Sequence, residues 1–374
     1  RQVIEYKDNQ GLLLLRKVQF TAPADYGNGS GHAGWFCTYY IYDELNNLRC
    51  VVQPRGVELL METNWDITAL NGVILNEQCF RYAYDSRGRM SMKKVPGAGE
   101  VWMVYDRRNR LVMTQDANLR TQEKWMYTVY DELNRPLHTG FLLDNHERVY
   151  HENRADDYEI YPQLSVGYAM HAHTLYDNYD WLQNYTTPFN STRNTDYDTL
   201  FYSPQNTVWP YPQPLTQSTK TKGMVTGKRV IVPGMAQTLW SIDFYDDKGR
   251  VIQTQSMNIT NGVDILTVQY SFTGRPLMTV LRQQKLGTNP QTNVILTRMT
   301  YDSLWRLVKT EKKVSNSLVN GGALPGEWTV ISENEYDALG QLKKKILAPG
   351  GGPAGGPLDS LVYTYNIRGW LLGM

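Results

Sequence analysis

The sequence predicts an all-β fold, an array of antiparallel hairpins that forms a strongly twisted, spiralling or shell-like sheet. Three observations support it: a short motif recurs along the chain, strand-forming residues flank each copy, and helical periodicity with caps is scarce. The 26 tyrosines and 10 tryptophans also suit pleated, half-buried surfaces. The chain is therefore expected to be one continuous repeat array over residues 1–374.

The repeated motif reads Tyr-Asp-x-x-Gly-Arg followed by an apolar residue, and ten copies can be aligned. The copies that begin at Tyr84 and Tyr245 match it fully, whereas the copy at Tyr176 is degenerate. Successive copies begin 21 to 46 residues apart, except across the gap of 69 residues from Tyr176 to Tyr245. The remaining copies begin at Tyr42, Tyr105, Tyr130, Tyr270, Tyr301, Tyr336 and Tyr365.

Each copy is expected to form the tip of a hairpin. The second residue of such a tip should accept a hydrogen bond from the backbone two residues further on, which Asp, Asn and Ser can do. Ser271 and Asn366 hold this position in two copies, and Asp177 holds it in the degenerate copy. The other seven copies have Asp43, Asp85, Asp106, Asp131, Asp246, Asp302 and Asp337.

The fifth residue of each copy should adopt a left-handed backbone conformation, as in a type I turn followed by a bulge. Glycine adopts it without steric cost, and Asn and Asp are the next best residues. Asp180 holds the position in the degenerate copy, and Trp305 is the exception, expected to be strained or to lie in a differently built turn. The suitable residues elsewhere are Gly88, Gly249, Gly274, Gly340, Gly369, Asn46, Asn109 and Asn134.

The arginine that closes the motif has two interpretations. It could bind a ligand, or it could be a cross-strand partner for the Asp or Tyr of the repeat. The structural role is favoured, because a binding residue would not need to recur at every hairpin tip. The arginines concerned are Arg89, Arg110, Arg135, Arg250, Arg275 and Arg306.

Two segments interrupt the array. Residues 185–222 are polar and read as an irregular insertion, whose aromatic residues suggest that it packs back onto the sheet. Residues 348–357 form a low-complexity segment that is expected to be a flexible Gly/Pro loop. The aromatic residues of the insertion are Phe189, Tyr197, Phe201, Tyr202, Trp209 and Tyr211.

Composition argues against several classes of function. A net charge of +1 argues against nucleic acid as a partner, because nucleic-acid binding requires a basic stripe. No apolar run approaches the ~20 residues that span a membrane. Cys37, Cys50 and Cys79 fit neither a disulfide scaffold nor a zinc motif and are expected to be buried thiols, with a Cys37–Cys50 disulfide left open.

No catalytic, metal or cofactor site is predicted, and the chain is not expected to be an enzyme. Gly-x-Ser-x-Gly and phosphate-loop motifs are missing from the sequence. Two groups of histidines could hold a metal, but scattered strand histidines and a polar loop after the Tyr130 hairpin explain them better. The groups are His171 and His173 with Asp177, and His138, His146 and His151 with Asp144 and Glu147.

The repeats resemble the YD repeats of the Rhs family, over nearly the whole chain from Trp35 to Gly369. Residues 42–56 and 94–102 look like the version found in Bacteroidetes. The resemblance implies a sheet that spirals into a hollow shell, which in bacterial polymorphic toxins and insecticidal toxin complexes encloses a C-terminal toxin domain. Related arrays occur in animal cell-adhesion proteins. The Asp-Pro-x-Gly type motif of the family's self-cleaving core is missing, since this sequence contains no Asp-Pro dipeptide.

Three functions therefore compete, of which an enzyme is the least favoured. The first is a structural shell or scaffold segment of a secreted or surface-exposed Rhs polymorphic-toxin-like protein. Its partners would be other segments of the same polypeptide, including an enclosed C-terminal toxin. The second is a surface adhesion module that binds carbohydrate or protein through exposed aromatic residues. Aromatic residues buried between successive hairpins would favour the first function, and aromatic residues clustered in an exposed groove would favour the second.

Overall fold

The fold is all-β, which confirms the predicted fold class. In the computed structural model of the chain, residues 2–22, 25–235 and 237–374 are described, with the backbone alone at residues 320 and 354. In these ranges the strands pair antiparallel, and helix accounts for 12% of the residues. The chain divides into two compact units, Arg1–His171 and Ala172–Met374.

The first unit is an antiparallel meander in which each strand pairs with the strand that follows it in sequence. Consecutive pairing needs only short connections, which suits a chain built from repeated hairpins. The strands are β1 (Val3–Lys7), β2 (Leu13–Gln19), β3 (Trp35–Tyr42), β4 (Leu48–Val52), β5 (Cys79–Tyr84), β6 (Met90–Lys94), β7 (Val101–Tyr105), β8 (Leu111–Gln115), β9 (Lys124–Tyr130) and β10 (Pro136–Leu143).

The second unit repeats this arrangement from β11 to β21, and β22 and β23 form a separate two-stranded sheet. Strand β11 begins in the first unit. The strands are β11 (Tyr168–Tyr176), β12 (Val225–Ile231), β13 (Thr238–Tyr245), β14 (Val251–Met257), β15 (Val263–Tyr270), β16 (Pro276–Lys285), β17 (Gln291–Tyr301), β18 (Leu307–Asn316), β19 (Thr329–Tyr336), β20 (Leu342–Leu347), β21 (Asp359–Val362), β22 (Thr364–Tyr365) and β23 (Leu371–Gly373).

The helices are short, and none in the described ranges is long and apolar enough to cross a membrane. The α-helices all lie in the first unit: α1 (Pro54–Glu62), α2 (Val73–Glu77), α3 (Ala117–Thr121) and α4 (Arg148–Asp157). Short 3-10 helices cover Leu70–Gly72, Asp180–Asn184, Asp198–Leu200, Asn320–Gly322 and Pro353–Gly355.

Helix α4 corrects the predicted polar loop after the Tyr130 hairpin. His151 and Ala155 are fully buried, and they are four residues apart, so one face of the helix packs into the core. The remaining positions of α4 are largely charged or polar, which is why the sequence suggested a loop. Burial of this narrow face against Trp125 and Tyr161 stabilises the helix where its own pattern is weak.

Buried and less buried residues alternate along the strands, and the buried ones form the hydrophobic cores. In β13, for example, Trp240, Ile242 and Phe244 are buried while the residues between them are only half-buried. Each unit has two such apolar clusters. All three cysteines are buried free thiols in the first unit, so the Cys37–Cys50 disulfide that the sequence left open is not formed.

The insertion, residues 185–222, contains one 3-10 helix and otherwise irregular backbone. Its aromatic side chains turn toward the sheet of the second unit, as the sequence suggested. Phe189 is buried beside Trp181 and Trp240, and Tyr197, Phe201 and Tyr202 pack on the cluster around Met278 and Leu296. Segment 348–357 includes the 3-10 helix Pro353–Gly355.

Candidate functional site

Nine of the ten motif copies lie at hairpin tips with one common geometry. In each, the N–H of the second residue donates to the carbonyl of the sixth, and the N–H of the fifth donates back to the carbonyl of the second, at 2.8–3.1 Å. The fifth residue has a φ between 59° and 86°. This is the bulged type I turn that the motif's Gly and Asn positions require.

The tenth copy, at Tyr176, departs from the prediction. Asp180 begins a 3-10 helix, and the positive φ of 74° falls on Asp177 instead. The backbone N–H of Asp177 donates to the carbonyl of Met224, and its carboxylate accepts from the N–H of Gly223 at 2.6 Å. These two bonds therefore join the chain before the insertion to the chain after it, and no tight hairpin forms here.

At each regular tip with both residues, the aspartate binds the turn and the arginine together. Asp106 shows the pattern: Oδ1 accepts from the backbone N–H groups of Arg108 and Arg110, both at 2.9 Å, and Oδ2 accepts from Arg110 Nε at 2.6 Å. These charge-assisted bonds satisfy a carboxylate whose residue is only 2% exposed. The same pairs occur at Asp85–Arg89, Asp131–Arg135, Asp246–Arg250 and Asp302–Arg306.

The arginine also reaches the next tip along the sheet. Arg110 donates to Asn134 Oδ1 at 3.0 Å, and its guanidinium lies 4.9 Å from the centre of the Tyr130 ring, within cation–π range. This supports the structural interpretation of the motif arginine. The equivalent guanidinium–ring pairs are Arg89–Tyr105, Arg250–Tyr270 and Arg306–Tyr336, at 4.8–5.0 Å.

The tyrosine makes the return contact to the preceding tip. Tyr130 Oη donates at 2.8 Å to the carbonyl of Leu111, the residue that follows Arg110. Equivalent bonds of 2.9–3.1 Å join Tyr84 to Leu48, Tyr270 to Val251, Tyr301 to Pro276, Tyr336 to Leu307 and Tyr365 to Leu342. We call these linked tips the tip ladder: the tips at Tyr42, Tyr84, Tyr105 and Tyr130 in the first unit, and those at Tyr245, Tyr270, Tyr301, Tyr336 and Tyr365 in the second.

Tips in which another residue replaces the aspartate keep the hydrogen bond from the turn backbone to its side chain. Where Ser271 replaces the aspartate, its Oγ still accepts from the backbone N–H of Arg275 at 3.0 Å. Where Asn366 replaces it, Trp370 stands in place of the arginine, and the Asn side chain accepts from the Trp370 N–H at 2.9 Å. The backbone-capping half of the motif is thus present even where the ion pair is not.

Trp305 holds the left-handed position with a φ of 59° in a tip of regular geometry. It is therefore strained, and the turn is not built differently. Its ring lies 4.3 Å from that of Trp209, which comes from the insertion, and 5.9 Å from that of Tyr301. These aromatic contacts offset the backbone cost and dock the insertion on the tip ladder of the second unit.

Substitution of the left-handed glycines should destabilise the protein. We expect Gly249→Val to lower the free energy of unfolding by more than ~1 kcal/mol, because φ is 74° there. An added Cβ would also meet the Met224 methyl at 3.0 Å, whereas Gly88, with a φ of 72°, has open space. Gly88→Val therefore isolates backbone strain, and Gly88→Asn is its control. Urea denaturation measures both, and equal costs for Val and Asn would contradict the turn assignment.

The tip carboxylates should make stability depend on pH. Burial alone would raise the pKa of the Asp85, Asp131 and Asp302 carboxyls, but hydrogen bonds from the backbone and guanidinium of the paired arginine outweigh burial and lower the pKa. Below their unfolded pKa values the unfolded chain binds more protons than the folded chain. These tips therefore contribute full stability above about pH 4, and that contribution is lost as pH falls through the folded pKa values.

We expect the urea midpoint to fall on acidification from pH 5 to 3, in roughly the range set by carboxyl titration. Asp85→Ser should give a shallower fall, because Ser271 shows that serine can cap a tip without a titrating group. A midpoint that is flat over this range, or an identical slope in Asp85→Ser, would contradict the assignment.

The histidines of the two predicted groups contact acidic or aromatic side chains in the structure. His146 and His151 both approach Asp144, at 2.7 Å and 3.6 Å, while His138 packs edge-on against Tyr127. Burial lowers the pKa of His151 to about 4, and Asp144 opposes that shift. His171 packs on Phe141, and His173 packs on Tyr185. Across the described ranges, no three His, Cys, Asp or Glu side chains are grouped to hold a metal.

Two buried glutamines bind the insertion and were not singled out by the sequence. Gln253 accepts from the N–H of Asn194 at 2.7 Å and donates to its carbonyl at 2.8 Å. Gln269 accepts from the N–H of Tyr202 at 3.0 Å and donates to its carbonyl at 2.7 Å. Each side-chain amide thus makes the two hydrogen bonds to the irregular backbone that the backbone of a neighbouring strand would make. Glutamine at inward strand positions is the signal that could have revealed them.

Comparisons with known proteins give distant structural likenesses and no relative in sequence. No protein-family model matches the chain, and no curated protein matches it in sequence. The solved structures it resembles include a Photorhabdus luminescens Tc holotoxin pore, at 12% identity and a TM-score of 0.41. They also include the TcdB2-TccC3-Cdc42 and TcdB2-TccC3-TEV crystal structures, at 12% and 13% identity and a TM-score of 0.40. The matches cover 99% of this chain but only 16% of those chains.

Proposed function

We propose that the chain is a structural shell segment of a secreted or surface-exposed Rhs-type protein, and that it encloses or presents another segment of the same polypeptide. The observation that carries the proposal is the tip ladder. Its Asp, Arg and Tyr side chains bind the turn itself and the adjacent tips, so the most repeated chemistry in the sequence serves to hold the wall together. The proposal assigns no catalysis to these residues.

The placement of aromatic residues also supports a wall rather than an adhesion surface. The motif tyrosines are buried or half-buried, and four of them lie beneath a guanidinium from the neighbouring tip. A tyrosine in this position packs its ring against the guanidinium and forms a hydrogen bond through its hydroxyl. Little of the ring face is then left for an external ligand. Aromatic residues between successive hairpins are the arrangement that favours a scaffold.

The test uses the complete natural polypeptide. We expect limited proteolysis under native conditions to leave a segment outside this chain intact, and the same segment to be digested once the protein is denatured. If that segment is cleaved from the array, it should co-migrate with the array on a native gel and separate from it on a denaturing gel. Equal digestion of all other segments in the native and denatured samples would contradict the shell proposal and favour a binding module.

A further inference from the structure

A cleft of about 610 Å³ opens in the second unit where the motif copy at Tyr176 departs from the regular tip. This volume lies within the ~300–1,000 Å³ typical of small-molecule sites. One wall is the segment 178–183 that follows Asp177, and the other walls come from 189–192 and 217–221 of the insertion. Breaks in a protein's local rules tend to fall at functional sites, which directs attention to this point of the array.

Hydrogen bonds hold the walls of the cleft to one another and to strands β12 and β13. Gln217 joins two walls, since it accepts from the N–H of Arg193 and donates to the carbonyl of Ser191, both at 2.8 Å. On the opposite wall, Trp181 Nε1 donates to Thr226 Oγ1 at 3.2 Å, and Tyr179 Oη donates to the carbonyl of Asp243 at 2.8 Å. A ligand would therefore meet a largely preformed surface, which lowers the entropic cost of binding.

The lining is rich in neutral polar groups. Of the 13 residues that line the cleft, nine carry an amide or an aliphatic hydroxyl, three supply a largely apolar floor and Asp180 alone carries a formal charge. The floor consists of Tyr179, Leu182 and Phe189. Five polar side chains are exposed and form no hydrogen bond to any described residue: Gln183, Asn190, Ser191, Thr192 and Thr219.

The side chains that line the cleft favour some classes of ligand over others. A phosphate or carboxylate ligand is disfavoured, because no described lining residue is basic and the one charged side chain, Asp180, would repel an anion. A largely apolar ligand would remove water from the five polar side chains that have no partner among the described residues and would offer them none, which is costly. A neutral saccharide instead presents many hydroxyls that both donate and accept, as amides and hydroxyls do, with an apolar ring face for the floor.

We propose that this cleft is a binding site for a neutral oligosaccharide. The amide side chains of Gln183 on one wall and Asn190 on another would bind sugar hydroxyls as paired donor and acceptor. Ser191 and Thr192, on the same wall as Asn190, would add single bonds. Asp180 would accept from a hydroxyl at the rim. The site is independent of the shell function, since the lining contains no tip-ladder residue.

The test is saturation-transfer NMR on the 374-residue chain with N-acetyllactosamine, maltotriose, diacetylchitobiose and lactose as neutral probes, and sialyllactose as an anionic comparison. We expect at least one neutral probe to bind with a Kd of about 1 mM. Gln183→Ala combined with Asn190→Ala should weaken that binding by about tenfold or more. Thr199→Ala combined with Ser303→Ala, two exposed positions outside the cleft, is the matched control and should leave the affinity unchanged.

Three outcomes would overturn the proposal. They are no saturation transfer to any neutral probe at about 10 mM, an unchanged affinity in the Gln183/Asn190 double variant, or tighter binding of sialyllactose than of lactose. Circular dichroism of both double variants establishes that the fold is retained. Since all four substituted side chains are exposed, retention of the fold is expected.

Discussion

Replacing Asp106 with alanine should lower the free energy of unfolding by about 3–5 kcal/mol, the cost of removing one partner from a buried ion pair. Asp106 is 2% exposed, and its carboxylate accepts from two backbone N–H groups and from Arg110 at 2.6 Å. The substitution removes the cap of the turn and leaves the Arg110 guanidinium without its carboxylate. Because Arg110 also contacts the next tip, the Tyr130 hairpin should loosen as well.

Urea denaturation and amide hydrogen exchange together measure this effect. Asp302→Ala is the matched control, because the Asp302 side chain makes the same bonds but is 22% exposed, so water can replace part of what is lost. We expect the Asp302 variant to lose less stability. Equal and small losses, below ~1 kcal/mol at both sites, would show that the ion pairs do not hold the tips.

Replacing Gln269 with leucine should cost about 2–4 kcal/mol, since each buried polar group left unpaired costs about 1–3 kcal/mol. Gln269 is 1% exposed and pairs with the N–H and carbonyl of Tyr202 and with the carbonyl of Gln213. Leucine has a similar volume but offers no partner to these groups. Residues around 202–213 of the insertion should then detach from the sheet before the strands themselves unfold.

The decisive measurement is hydrogen exchange at the Tyr202 amide, which should accelerate far more than exchange within β15 and β16. Gln283→Leu is the control, because Gln283 is half-buried on β16, its side chain bonds to no described residue, and its replacement should stay within about 0.5 kcal/mol. If exchange at Tyr202 is unchanged in Gln269→Leu, the insertion is held by its aromatic contacts rather than by the glutamine amides.

The tips could be predicted from the sequence because their determinants are local. The cap at the second residue, the left-handed fifth residue and the ion pair to the sixth all lie within six residues, so the motif shows them directly. The strand pairing follows with little further information, because neighbouring hairpins pair in chain order. The same reasoning identified Trp305 as the exception, either strained or in a differently built turn, and its φ of 59° in a regular turn decides for strain.

The features that the sequence did not reveal depend on distant residues. The strain at Trp305 is offset by Trp209, which lies 96 positions earlier in the sequence. Helix α4 depends on burial of His151 beside Trp125, and the open loop at Tyr176 depends on a bond from Gly223 to Asp177. The cleft combines three separate segments, and no local pattern in any one of them indicates a pocket.

The meander in each unit also has a mechanical consequence. Adjacent strands are held by bonds perpendicular to their length, and the tips of the ladder are bonded to the tips beside them. A force that pulls an edge strand of the second unit away from its neighbour would break these bonds one pair of strands at a time. Each hairpin between the tips at Tyr245 and Tyr365 would release a contour length of roughly 80–120 Å. Such a sheet would come apart stepwise, hairpin by hairpin, under a pull on its edge strand.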